Sequence, residues 1–293
     1  RIERHIKPLL GRLRVKDVTR ADVERFMQQV AAGKTAADVR TRPRGRARVT
    51  GGKGTAARTV GLLGGIFTFA FAEGARVDNP VRGVKRYKDG KGERDLLAEE
   101  LARLGQALSE AEANDENAFA IAGIRLLALT GCRKSEIVTL QWAHVDFERG
   151  QLRLPDTKTG DRIIPLGAPA LEVLASLPRL EGNPYVLPGD KPGRHIMGLP
   201  KVWERIRKRA GLADVRLHDL RHNFASVGAG AGMSLPILGK LLGHRDPKTT
   251  ARYAHIAPDP AKAAADRISG DISAKMKGEP TKAQVVKLSK RKA

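Results

Sequence analysis

The stretch LLGHRDPKTTARYAH, residues 241–255, closes one helix and opens another within a few residues. Gly243 follows an apolar, helix-like run and suits the left-handed position at which helices stop. His244 comes directly after it. Asp246 then suits an N-cap and Pro247 the first helical position, so the chain restarts as a helix carrying Tyr253. A tyrosine on a short helix is ordinarily a packed aromatic whose hydroxyl finds a hydrogen bond. The same hydroxyl becomes a nucleophile where cations and a base gather around it, so the rest of the chain decides between the two readings.

Charge narrows the choice. The 293 residues include 54 Lys and Arg against 32 Asp and Glu, a formal net charge of +22. Clustered cations gain affinity for a polyanion by releasing counterions from its phosphates, so nucleic acid is the first partner this composition suggests. The charge is also patterned. Arg40, Arg42, Arg44, Arg46, Arg48, Lys53 and Arg58 run together with no acid between them, and residues 275–292 hold Glu279 as their only acid. We expect the arginine-rich stretch to contact DNA. The lone cysteine, Cys132, excludes an intramolecular disulfide and a cysteine-based zinc cluster. No apolar run reads as long enough to span a membrane and no secretory leader pattern opens the chain, so a cytoplasmic protein without membrane contact is expected. The chain opens on Arg1 in mid-pattern, which reads as the start of a trimmed or partial chain.

Residues 1–85 read as a helical module. Thr19 and Asp22 form a capping-box pattern ahead of a helix whose Val23, Phe26, Met27 and Val30 share one face, with Gly33 a plausible stop. Pro43, Gly45, Gly51, Gly52 and Gly54 argue that the arginine-rich segment is a loop. A second helix over residues 55–73 carries Val60, Leu63, Phe67, Ala70 and Phe71 as its stripe. Residues 84–93, VKRYKDGKGE, read as a linker, with the boundary placed at 86–95. From 96 to about 270 the pattern gives helices at 97–113, 119–129, 133–140, 200–210, 217–229, 235–242 and 248–255. Residues 151–166, QLRLPDTKTGDRIIPL, read as a hairpin. The expected class is mainly α with a small β-hairpin or sheet, an α+β fold, ending in a basic tail over 271–293.

With phosphate as the assumed ligand, four clusters stand out. In TGCRKSE, Gly131 ends one helix, Arg133 opens the next, and Glu136 lies one turn on and can brace it. A structural ion pair is the plain alternative. Lys158 sits near the hairpin tip, where most lysines are merely solvated. In LHDLRHNFAS, His218 and Arg221 are three apart and share a helix face; a planar guanidinium there can bind two phosphate oxygens beside an imidazole that moves a proton. His222 points about 100° away from Arg221 and reads as structural or a secondary contact. The fourth cluster is His244 with Tyr253.

Taken together, LALTGCRKSEIVTLQWAHVDF, DTKTGDRIIPL, LHDLRHNFAS and LLGHRDPKTTARYAH resemble the tyrosine recombinases, in particular the phage- and prophage-type integrases. The resemblance covers most of residues 95–256, and residues 1–85 look like the helical core-binding domain of that family. It implies that Arg133 and Arg221 clamp a scissile phosphate, Lys158 is the general acid, His218 and His244 assist, and Tyr253 is the nucleophile. No cofactor or metal is implied. The partners implied are double-stranded DNA at specific recombination sites, three further copies of the chain in a tetramer on DNA, and possible accessory DNA-bending or directionality proteins. Integration or excision of a mobile element in the bacterial cytoplasm, at the nucleoid, is the implied setting. An N-terminal arm-binding domain is a candidate for what precedes Arg1. A type IB-like topoisomerase and a non-catalytic DNA-binding regulator are the alternatives. The first would relax supercoils as a monomer, and the second would be indifferent to loss of the Tyr253 hydroxyl.

Overall fold

The computed structural model describes residues 1–42, 45–88, 94–155, 162–244 and 246–256, with isolated positions between 265 and 276. The chain divides into two compact units, Arg1–Gly92 and Glu93–Ala293. The class is the expected one, mainly helical with small antiparallel sheets.

In the first unit, α1 (Lys7–Leu10) precedes α2 (Arg20–Ala31), β1 (Ala37–Arg42), β2 (Gly45–Val49) and α3 (Lys53–Ala72). The Thr19 hydroxyl accepts from Asp22 N–H while the Asp22 carboxylate accepts from Thr19 N–H, so two orphan donors are satisfied and α2 starts there. Its Val23, Phe26, Met27 and Val30 are buried against Val60, Leu63 and Phe67 of α3. Phe71 departs from the expected stripe and is half exposed. By length and composition α3 could cross a membrane, against the sequence expectation, because Thr and Gly interrupt a run that contains no charge from 59 to 72. Its buried stripe against α2 is that of a core helix.

The arginine-rich segment is not a loop but an antiparallel ribbon, with Ala37 opposite Val49 and Arg40 opposite Arg46. Of the glycines that argued for a loop, Gly51 and Gly52 lie at its base with φ +83° and +92°, Gly54 falls in α3, and Gly45 begins β2 itself. Val84 and Tyr87, read as linker, pack on the core of this unit. Residues 89–93 lie outside the described residues.

The second unit runs α4 (Ala98–Ala113), α5 (Ala118–Thr130), α6 (Lys134–Val138), β3 (Val145–Asp146), β4 (Gln151–Leu154), β5 (Arg162–Pro165), α7 (Ala168–Ala175), α8 (Leu199–Arg209), α9 (Leu217–Gly230), α10 (Leu235–Leu242) and α11 (Pro247–Ala251). Helix α5 is apolar nearly all round and forms the centre, packing on α4, α7, α8 and α9. The hairpin forms as expected, Leu152 opposite Ile164 and both buried, with β3 added on its other edge. Helix α7 escaped sequence reading, and α11 is shorter than expected because the chain turns from Arg252 onward. Helix α9 is pinned at its middle: Asn223 Oδ1 accepts from Leu96 N–H at 3.1 Å, and Ser226 donates to Asp95 at 2.5 Å. Those bonds fix the helix that supplies Arg221.

Candidate active site

The site is built around the end of α10. Gly243 adopts φ +65° and stops the helix, with its N–H on Lys240 O and the His244 N–H on Gly239 O. Three consecutive carbonyls at this end, which accept from no backbone amide among the described residues, each accept from a different arginine. Leu241 O takes Arg162 Nη2 at 2.8 Å, Leu242 O takes Arg221 Nη2 at 2.7 Å, and Gly243 O takes Arg133 Nη2 at 3.3 Å. The negative end of the helix dipole thereby offsets part of the repulsion among three guanidiniums.

Arg133 precedes α6 and reaches back over it. Its Nη1 donates to Glu136 Oε1 at 2.8 Å, and its own backbone N–H donates to the other carboxylate oxygen at 2.7 Å. Glu136 Oε1 also accepts from Arg162 Nη1 at 2.7 Å. One carboxylate therefore braces two cations. Arg133 remains about half exposed while Arg162 is nearly buried.

Arg221 is the deep member, 5% exposed, with Nη1 donating to Gly131 O at 2.6 Å. Gly131, at φ +61°, ends α5 there, and a Cβ on it would run into the Phe224 ring. Burial, then the neighbouring charge of Arg133, lowers the Arg221 pKa to about 10. The side chain stays charged at neutral pH but is underserved: two of its five N–H groups meet carbonyls, and an anion would relieve it.

His244 is partly buried, its Nδ1 2.8 Å from Thr250 Oγ1. Burial, followed by the fields of Arg221, Arg133 and Arg162, lowers its pKa to about 4. It is therefore a neutral hydrogen-bonding group at physiological pH, not a fourth cation.

Tyr253 is 3% exposed and packs among Ala225, Ala229, Leu238 and Leu242. Its hydroxyl lies 2.7 Å from Nδ1 of His222. Burial raises its pKa, with Arg252 and Arg221 acting in the opposite direction. Burial lowers the His222 pKa and so favours the neutral ring; in the tautomer with a free Nδ1 lone pair the imidazole accepts the tyrosine hydrogen bond. His218 instead meets the His222 ring edge-on at 4.8 Å between centroids, and no hydrogen bond joins it to Tyr253.

Six candidates thus gather in the second unit: Arg133, Glu136, Arg221, His244, Tyr253 and, one ring removed, His218. Lys158 and Arg44 lie outside the described residues. Arg40, Arg46 and Arg48 are exposed on the ribbon of the first unit, Arg42 closes β1, Lys53 lies over the Tyr87 ring at 5.9 Å, and Arg58 is exposed on α3. Two residues were missed. Arg162 looks like an ordinary strand cation, although its place in the apolar strand RIIP was a signal. His222 was set aside for pointing away from Arg221, yet Tyr253 arrives from outside α9 and meets that other face.

Comparison with known proteins gives the chain a family. The chain is 30% identical over 203 residues to a shufflon-specific DNA recombinase of Escherichia coli, covering 67% of this chain and 49% of that protein. It is 31% identical over 216 residues to tyrosine recombinase XerD of Rhizobium meliloti, covering 68% and 69%. Thus it spans about half the length of the shufflon enzyme and more of the XerD protein. Its fold resembles that of a lambda integrase (75-356) dimer bound to a COC' core site, with a TM-score of 0.64 at 20% identity, covering 85% of this chain and 84% of that one. The phage integrase family matches residues 94–259, more than half of the chain and inclusive of Arg133, Arg221, His244 and Tyr253. The chain belongs to the phage integrase family.

Proposed function

We propose that this protein is a site-specific DNA recombinase that cuts and rejoins duplex DNA through Tyr253. The observation that carries the reading is the convergence of three arginines and a neutral histidine on the last turn of α10, directly before the helix that leads to a buried tyrosine. Such a cluster suits the non-bridging oxygens of a phosphodiester, whose charge rises in a phosphorane-like transition state.

In this reading Arg133 and Arg221 bind those oxygens, with His244 donating a further hydrogen bond. Holding tyrosine as phenolate at pH 7 costs about 4 kcal/mol from its reference pKa. His222, already on the hydroxyl, offsets this by taking the proton as attack proceeds, and His218 backs the His222 ring. The Tyr253 oxygen forms a bond to phosphorus while the bond to the 5′ oxygen breaks. The departing oxygen takes a proton from Lys158, a role assigned by the resemblance alone and worth about two to four decades of rate. The 3′-phosphotyrosine retains the energy of the broken ester, so attack by another 5′-hydroxyl rejoins a strand with no nucleotide consumed. Because Tyr253 is 3% exposed, the segment carrying α11 must first open to admit the phosphate, with the hydroxyl kept on His222.

Each site cuts one strand, so exchange between two duplexes calls for four protomers on DNA. Integration or excision of a mobile element in the bacterial cytoplasm, with accessory DNA-bending proteins, fits this chemistry. A nicked suicide duplex carrying the end of the element tests the reading. Wild-type protein should yield a covalent adduct on a denaturing gel, and Tyr253→Phe should bind the duplex without one. An adduct that survives the substitution would overturn the proposal.

A further inference from the structure

The β1–β2 ribbon lies apart from the hydrophobic core of its own unit. Its register sets Asp38 opposite Arg48 and Arg40 opposite Arg46, so these four side chains share one face. Ala37 opposite Val49 and Val39 opposite Ala47 make the other. One face is wholly charged and the other small and apolar. Arg46 is held by a two-pronged pair with Asp38, both contacts at 2.6 Å, and 70% of its side chain is exposed. Arg40 and Arg48 are exposed and form no ion pair with a described carboxylate.

In isolation this arrangement is unfavourable twice over. Arg40 and Arg46 are like charges directly across a ladder, which destabilises the pairing. A two-stranded ribbon is marginal in water by itself, and the partner of each strand here is the other strand. Its base, by contrast, is firmly seated. Gly52 N–H donates to Ala31 O at 3.1 Å, and a Cβ on Gly51 would come within 2.6 Å of Val30 O. A fixed base thus projects a cationic face that lacks its counter-charge.

We propose that this ribbon is a separate DNA-binding element that enters the major groove of duplex DNA with the Arg40, Arg46 and Arg48 face inward. The inference rests on the reading of the protein as a DNA recombinase, which supplies the duplex. A major groove about 12 Å wide admits a two-stranded β-ribbon, whose strands lie only about 4.8 Å apart. Guanidiniums on the inward face meet base-edge acceptors on the groove floor and phosphates on its walls. Asp38 aims the Arg46 fork while leaving the face with three cations against one anion.

The test compares the wild-type chain with an Arg40→Ala/Arg46→Ala/Arg48→Ala variant, all surface changes. Binding to a random-sequence 40-base-pair duplex is followed against salt, and then repeated on the same duplex with glucosylated hydroxymethylcytosine filling the major groove. The variant should flatten the slope of log K against log salt by about two to three, roughly one per lost phosphate-neutralising cation. Glucosylation should weaken the wild type at least tenfold and leave the variant little changed. An unchanged slope overturns the proposal. A flattened slope with equal sensitivity to glucosylation in both proteins overturns the groove assignment, as does a loss confined to anionic vesicles or single-stranded RNA. The covalent adduct on the nicked duplex at saturating protein is the separate reading of the Tyr253 chemistry: wild type without adduct fails that reading and leaves the salt slope to decide the ribbon.

Discussion

Gly243→Ala strikes the point at which the fold and the arginine cluster meet. Two costs add. Alanine at φ +65° sacrifices about 1–2 kcal/mol of left-handed strain. Its Cβ would also fall on the Arg162 guanidinium. Arg162 cannot swing freely into water, since only 14% of its side chain is exposed, so displacement forfeits its bonds to Glu136 and Leu241 O. Hydrogen bonds to charged groups contribute about 1.5–3 kcal/mol, and partial recovery by water leaves about 2 kcal/mol lost for the pair. The expected total is about 3–4 kcal/mol by urea denaturation of the full chain. Arg162→Ala should lose the same bonds alone, about 2 kcal/mol. In the double variant those bonds are lost only once, so the cycle should show a coupling of about 2 kcal/mol, well above the ~0.5 kcal/mol scatter of independent sites. Additive losses would refute the reasoning, because they would mean that Arg162 does not occupy the space Gly243 leaves open.

Further outcomes follow from the same geometry. His222→Phe should keep DNA binding and slow adduct formation by about two to four decades if His222 accepts the Tyr253 proton; an unchanged single-turnover rate would return that role to His218. Arg221→Lys should retain charge yet reach only one of Gly131 O and Leu242 O, and we expect adduct formation to fall at least about a hundredfold on the same assay. In acid, His244 is neutral when folded, with a pKa of about 4, and titrates near 6.5 when unfolded. Its contribution is therefore complete above about pH 6.5 and lost as pH falls from there toward 4. Denaturation midpoints at pH 7.5, 6 and 5 should fall less steeply in His244→Gln. Parallel profiles would exclude the histidine as the source.

Much of the site could be read from local sequence because its members sit at helix ends. Gly131 before Arg133, and Gly243 before His244, announce their own backbone geometry, and the Asp246-Pro247 restart was legible for the same reason. The partners of those residues were not. Arg162 lies 26 residues from Glu136 and 79 from Leu241, and nothing in a strand pattern shows which carbonyl its guanidinium will find. His222 was misread because helical periodicity reports which residues share a face, not what approaches the other faces. The ribbon was taken for a loop because Pro43 and the glycines around it outweighed the alternation of Ala37, Val39, Ala47 and Val49. Helix α7 was missed altogether; at eight residues it offers little periodic signal.

The three successive carbonyls at residues 241–243 have a bearing on which length changes the protein tolerates. Each is claimed by an arginine from a different part of the chain, from before α6, from β5 and from α9. Deleting or inserting one residue in this turn would rotate the carbonyls about 100° each and shift every partner at once. Homologous chains should therefore vary in length at the β1–β2 turn and between α7 and α8, while holding the count from Leu238 to His244 fixed.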